Sequence, residues 1–114
     1  MNREVWKSNV VDAARRLSSR EYQAEAWFGG DERISSPEEI ICSLFDDMLF
    51  DEFLTSGDIS LSDAQRSAGL TLKKALEDYS QKMEDKPDPH EVFADPDWDK
   101  VRKVASEFVN AMGR

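Results

Sequence analysis

Three helix-start signals divide this chain and constrain its fold more than any other feature of the sequence. They are Ser36-Pro37 with Glu39 close behind, Ser62 with Gln65 three positions on, and Asp95-Pro96. Ser or Asp at an N-cap accepts a bond from the first helical turn, and proline suits the first helical position. A following Glu or Gln can bond back to the cap amide. Each signal therefore predicts the start of a helix.

Apolar residues at helical spacing follow each start and predict the face that packs into the core. The three stripes are Ile40, Ile41, Leu44, Phe45 and Met48; Ala68, Gly69, Leu72, Leu76, Tyr79 and Met83; and Trp98, Val101, Val104, Ala105, Phe108, Val109 and Met112. We expect the second helix to end near residue 84, before the proline-rich connector at 86–89. The third helix should end at Gly113.

The N-terminal third adds two shorter segments. A helical pattern over residues 3–18 predicts a first helix, and residues 20–28 continue as a second helix until Gly29-Gly30. Alternation of Tyr22, Ala24 and Ala26 with polar residues keeps a strand open for 20–28, although no partner strand is evident. The sequence predicts an all-α fold: one domain over 1–114, built as a compact bundle of four to five helices.

In the helix that begins at Pro37, the apolar residues depart from helical spacing near its end. A straight continuation to Leu54 would turn Asp51 and Glu52 toward the apolar side, and Phe50 and Phe53 toward solvent. A bend or a new short helix near residues 48–50 resolves the conflict. We expect that segment to end near Gly57.

Charge excludes several classes of partner. The chain carries 24 acidic and 15 basic residues, a net charge of -9, which disfavours nucleic-acid binding and anionic lipid. No apolar run reaches the roughly 18 residues of a membrane helix. The N-terminus lacks the apolar stretch of a secretory signal, and the single cysteine, Cys42, cannot form an internal disulfide. We therefore expect a cytoplasmic protein.

The acidic excess lies almost entirely in residues 34–63, which contain eight acidic residues and no basic one. Glu38, Glu39 and Asp63 sit at helix starts, where the helix dipole stabilises negative charge. The other five have no such explanation: Asp46, Asp47, Asp51, Glu52 and Asp58. They are either a solvated face or, because apolar residues are interleaved among them, an interface for a basic protein.

The sequence carries no recognisable enzyme motif. Asp46, Asp47, Asp51 and Glu52 lack the spacing of a calcium loop, although a small metal-dependent enzyme built on this cluster stays open as an alternative. His90 is the only histidine, and we interpret it as a loop residue. Cys42 is interpreted as a buried or half-buried apolar residue. We expect no catalytic residues, no metal and no cofactor.

Three short runs resemble small bacterial immunity proteins associated with contact-dependent and other polymorphic toxins. They are residues 20–30 (REYQAEAWFGG), 35–39 (SSPEE) and 44–47 (LFDD). In size, acidity and helical content the chain is also similar to the colicin immunity proteins, a resemblance that implies blocking a nuclease toxin through an acidic helical surface. The Tyr-Tyr pair of the DNase-colicin group has no counterpart here.

These observations predict a cytoplasmic immunity protein or antitoxin that neutralises a basic toxin domain. The predicted partner-binding residues are Asp46, Asp47, Phe50, Asp51, Glu52, Phe53 and Asp58, with Phe50 or Phe53 as apolar anchors. The alternative is a small helical adaptor or regulatory subunit whose acidic face is only solvated.

Overall fold

A computed structural model describes residues 3–29, 36–57, 59–83 and 88–113. Within these ranges the protein is all-α and contains no strand, which decides residues 20–28 in favour of helix. The helices are α1 (Arg3–Ser18), α2 (Arg20–Phe28), α3 (Pro37–Cys42), α4 (Phe50–Thr55), α5 (Asp63–Met83), α6 (Pro89–Ala94) and α7 (Pro96–Ala111). A π-helical turn, Ser43–Asp47, extends α3. The predicted fold class is confirmed.

The predicted number of helices was too low, because the described ranges contain seven. Three of them, α3, α4 and α6, are only six residues long, although the π turn extends α3. Helix α6 lies in and after the segment predicted to be a connector: Asp88 caps the helix by accepting from the His90 amide, and Pro89 occupies its first turn. Proline at a helix start is compatible with continuation on its C-terminal side, so this connector contains a helix.

The predicted caps form as the sequence indicates. Ser36 Oγ accepts from the Glu39 amide at 3.1 Å, and Asp95 Oδ1 accepts from the Asp97 amide at 2.9 Å. At the start of α5, Ser62 and Gln65 form a reciprocal capping box, with bonds of 2.9 and 3.1 Å. Each cap satisfies amides that a helix start leaves without partners.

Helix α7 packs against α1 and α5, and apolar side chains from all seven helices form one buried cluster around it. The predicted stripes of α5 and α7 supply much of this core, including Leu72, Leu76, Trp98 and Phe108. Gly69 permits close packing of α4 on α5, since a Cβ there would lie 2.4 Å from the Leu54 side chain. Within the described ranges, no helix combines the length and apolarity needed to cross a membrane.

The predicted break near residues 48–50 is confirmed and has a specific geometry. The Met48 amide donates to the Ser43 carbonyl at 2.9 Å, an i→i+5 bond that inserts one extra residue into the turn. Leu49 then adopts a left-handed conformation, with φ at 52°, and α4 begins at Phe50. The reversal turns Phe50, Phe53 and Leu54 into the core and leaves Asp51 and Glu52 exposed.

Candidate partner-binding surface

Asp46 and Asp47 lie on the π-helical turn that follows α3, and both side chains are exposed. Among the described residues, none forms an ion pair or a hydrogen bond with either carboxylate. They follow α3, where the helix dipole disfavours negative charge. These two predicted site residues therefore have no stabilising role that the described part of the fold reveals.

The backbone around this turn is held by Trp6 of α1. Its indole Nε1 donates to the Met48 carbonyl at 2.7 Å and thereby satisfies a group that the broken helix leaves without a helical partner. The next residue, Leu49, combines its left-handed backbone with a side chain that is 43% exposed. A leucine in this conformation is strained, and the contact with Trp6 helps to hold the turn in place.

Asp51 has a structural partner that its local sequence does not contain. Lys73 of α5 lies 2.9 Å from its carboxylate, and the hydrogen bond to Asp51 raises the pKa of the Lys73 ammonium. A lysine from another helix thus offsets part of the negative charge of this segment. Glu52, one residue further on, is exposed. Asp58 lies outside the described residues.

Phe50 and Phe53 are both 0% exposed, which corrects their expected role as apolar anchors for a partner. Phe50 packs edge-to-face on Phe108, with ring centroids 5.6 Å apart, and Phe53 packs on Trp6 at 5.4 Å. Large aromatic rings at the centre of a small core contribute too much buried apolar area to be exchanged for a surface contact. The exposed apolar side chain of this segment is Leu49.

Four carboxylates surround Cys42 on the outer face of α3 and its extension: Glu38, Glu39, Asp46 and Asp47. We call these four residues the α3 acidic surface. Partial desolvation raises the pKa of the Cys42 thiol, and all four negative charges raise it further. The thiol is exposed, so the expectation that it is buried or half-buried was wrong. Because it stays protonated at neutral pH, it is a poor nucleophile.

The α3 acidic surface lies between two depressions that share Cys42. The α1-side pocket has a volume of about 450 Å³ and includes Arg16, Tyr22, Glu39, Asp46 and Asp47 in its lining. The α5-side pocket has a volume of about 290 Å³ and is lined by Glu38, Ile41, Cys42, Ser80 and Met83. The first is acidic with one basic residue, whereas the second is mainly apolar.

For two of these carboxylates, those of Glu38 and Glu39, the sequence indicates only a stabilising role at a helix start. Glu38 and Glu39 occupy the first turn of α3, where the dipole accounts for negative charge. Cys42 and Asp46 follow them at helical spacing on the same face, and the smaller rotation per residue in the π turn brings Asp47 toward it. Helical spacing alone therefore indicates three of the four carboxylates, and only the position of Asp47 depends on the π turn.

The other candidate groups from the sequence are His90 and the carboxylates considered as a metal site. His90 is exposed on α6, which corrects its placement in a loop, and its ring stacks on Phe28 with centroids 4.1 Å apart. Its Nδ1 lies 3.1 Å from the carboxylate of Asp88. Among the described residues, no group of three or more His, Cys, Asp or Glu side chains is arranged to hold a metal ion.

Comparisons with protein-family models, curated proteins and solved structures find no match to this chain. The resemblance to immunity proteins therefore stays a prediction.

Proposed function

We propose that this protein is an immunity protein that binds and neutralises a basic toxin domain in the cytoplasm, through the α3 acidic surface. The observation that carries the proposal is the position of Asp46 and Asp47. Both are exposed, follow the end of α3 and have no cationic partner among the described residues. Stability of the described fold does not account for them, whereas an electrostatic interface would.

The surface has the chemistry that a cationic partner requires. Four carboxylates of one segment point outward, and residues 34–63 contain no lysine or arginine to offset them. A field of one sign accelerates encounter with an oppositely charged protein and loses strength as salt is added. A toxin that acts on a polyanion needs a cationic cleft, and occupying that cleft would neutralise the toxin.

Co-expression tests this function directly. The product of the reading frame next to this chain's gene is expressed in a host whose growth it stops, with and without the present protein. We expect the protein to restore growth, and Asp46→Lys combined with Asp47→Lys to abolish the protection. Glu107→Lys combined with Glu91→Lys, an equal charge change at exposed positions of α7 and α6, should leave protection intact. Growth arrest that persists with the wild-type protein would contradict the proposal.

The alternative is a small helical adaptor or regulatory subunit whose acidic face is only solvated. The ion pair between Asp51 and Lys73 favours it, because it shows one carboxylate of the segment engaged within the fold. The charge-reversal variants separate the two functions. An adaptor with a solvated face should keep its partner when Asp46 and Asp47 are reversed, since such a face contributes little to affinity.

A further inference from the structure

A depression lies on each side of the outer face of α3. The α1-side pocket includes Tyr22 and three carboxylates in its lining, those of Glu39, Asp46 and Asp47. Arg16 is the basic residue in this lining. An aromatic wall beside several carboxylates suits a lysine or arginine side chain, through cation–π and charge interactions together.

The α5-side pocket offers the complementary chemistry. Ile41 and Met83 belong to its lining, although each is less than a tenth exposed, and Glu38 lines it as well. A shallow apolar recess next to a charged one matches the usual anatomy of an interface, in which apolar contact is surrounded by polar groups. Methionine adapts its shape readily to an incoming side chain.

We propose that the ridge of α3 and its two pockets form a docking groove for one amphipathic segment of the basic partner. A lysine or arginine of that segment enters the α1-side pocket, and an apolar side chain enters the α5-side pocket. Cys42 lies beneath the segment, since it belongs to the lining of both pockets. The inference rests on the proposed function and adds which face binds and what the partner presents.

Charge complementarity selects this occupant. Among the described residues, three carboxylates and one guanidinium line the α1-side pocket, and a fourth carboxylate lines the α5-side pocket. An acidic segment would meet repulsion there, and a purely apolar one would leave carboxylates desolvated without partners. A segment with lysines on one face and leucines on the other satisfies both pockets. This is the pattern by which amphipathic helices dock in grooves.

The single cysteine provides the test. The probe is a synthetic peptide of lysine and leucine at helical spacing, about 18 residues long, and binding is followed by fluorescence anisotropy at low salt. We expect the protein to bind it, and a bulky maleimide adduct on Cys42 to weaken binding by about tenfold or more. The matched control, Cys42→Ala with Ser106→Cys, moves the adduct to an exposed position of α7 and should bind as the unlabelled protein does.

Two further peptides define the chemistry of the groove. Replacing lysine by glutamate should abolish binding, and replacing leucine by serine should weaken it about tenfold. The proposed groove would be refuted if the Cys42 adduct bound the basic peptide as well as the unlabelled protein does. It would also be refuted if the protein bound the acidic peptide as well as the basic one. If protection in the growth assay persists despite such a result, the proposed function stands and only its docking site is wrong.

Discussion

Gln23 of α2 is the polar group on which the packing of three helices depends, and replacing it gives a sharp test of the fold. Its side chain is 0% exposed and makes four hydrogen bonds. Nε2 donates to the carbonyls of Arg16 and Leu17 at the end of α1, at 3.0 and 2.7 Å. Oε1 accepts from Trp98 Nε1 at 3.0 Å and Arg102 Nε at 2.8 Å, both on α7.

Gln23→Leu keeps the approximate size of the side chain and removes all four bonds. Three of them are buried, so the carbonyl of Leu17 and the N–H groups of Trp98 and Arg102 lose partners without gaining water. Each such group costs about 1–3 kcal/mol. Arg102 keeps its bonds to the Phe93 carbonyl and to Asp99, and neighbouring effects do not add fully. We expect a loss of about 3–5 kcal/mol.

Urea denaturation followed by circular dichroism measures this loss, with the slope of the transition as a check on two-state behaviour. The matched control is Gln81→Leu, because Gln81 is exposed near the end of α5 and its replacement should change the free energy of unfolding by less than about 0.5 kcal/mol. A loss below about 1 kcal/mol for Gln23→Leu, with an unchanged slope, would refute the reasoning that these buried groups depend on the amide.

Two further predictions concern strain and pH. Leu49→Gly should raise the free energy of unfolding by up to about 1 kcal/mol, since glycine accepts the left-handed backbone. The control is Leu70→Gly, because Leu70 is a similarly exposed leucine inside α5, and this change should lower the free energy of unfolding by about 1 kcal/mol. Thermal melts compare the two variants. Burial, together with the hydrogen bond to Asp95, raises the pKa of the Tyr79 hydroxyl above 10.0. The folded state holds this proton more tightly than the unfolded state does. The contribution of the Tyr79 hydroxyl to the free energy of unfolding is therefore complete below the pKa of an unfolded tyrosine and is lost as the pH rises above that value. The free energy of unfolding of the wild type should therefore fall as the pH rises above about 10, and a Tyr79→Phe variant that shows the same fall would contradict this assignment.

Much of the fold was predictable because helix signals are local. The caps at Ser36, Ser62 and Asp95 form within three residues of chain, and the stripes of α5 and α7 follow a fixed period. The break near Met48 was predictable for the same reason, because an apolar stripe that loses its phase requires a change of direction. Helix α6 was not predicted, because the proline-rich segment at 86–89 was interpreted only as a connector, whereas Pro89 begins this helix.

The candidate surface was only partly predictable. Position along the chain placed Asp46 and Asp47 in an acidic segment, and their exposure agrees with a role at a surface. The same segment suggested Phe50 and Phe53 as anchors, and these residues are buried. The sequence does not show whether an aromatic residue beside acidic residues faces the core or the solvent, because that depends on the turn between α3 and α4. The π turn and the left-handed Leu49 decide that orientation.

The sequence by itself determined the helical class, the positions of the helix starts and the location of the acidic excess, since each depends on residues within a few positions of one another. Only the tertiary structure decided which acids are offset and which polar groups are buried. Asp51 meets Lys73, and Gln23 meets Trp98 and Arg102, across long separations in the chain. Such pairs form because packed helices bring distant side chains together and exclude water from them, and no local pattern specifies which two will meet.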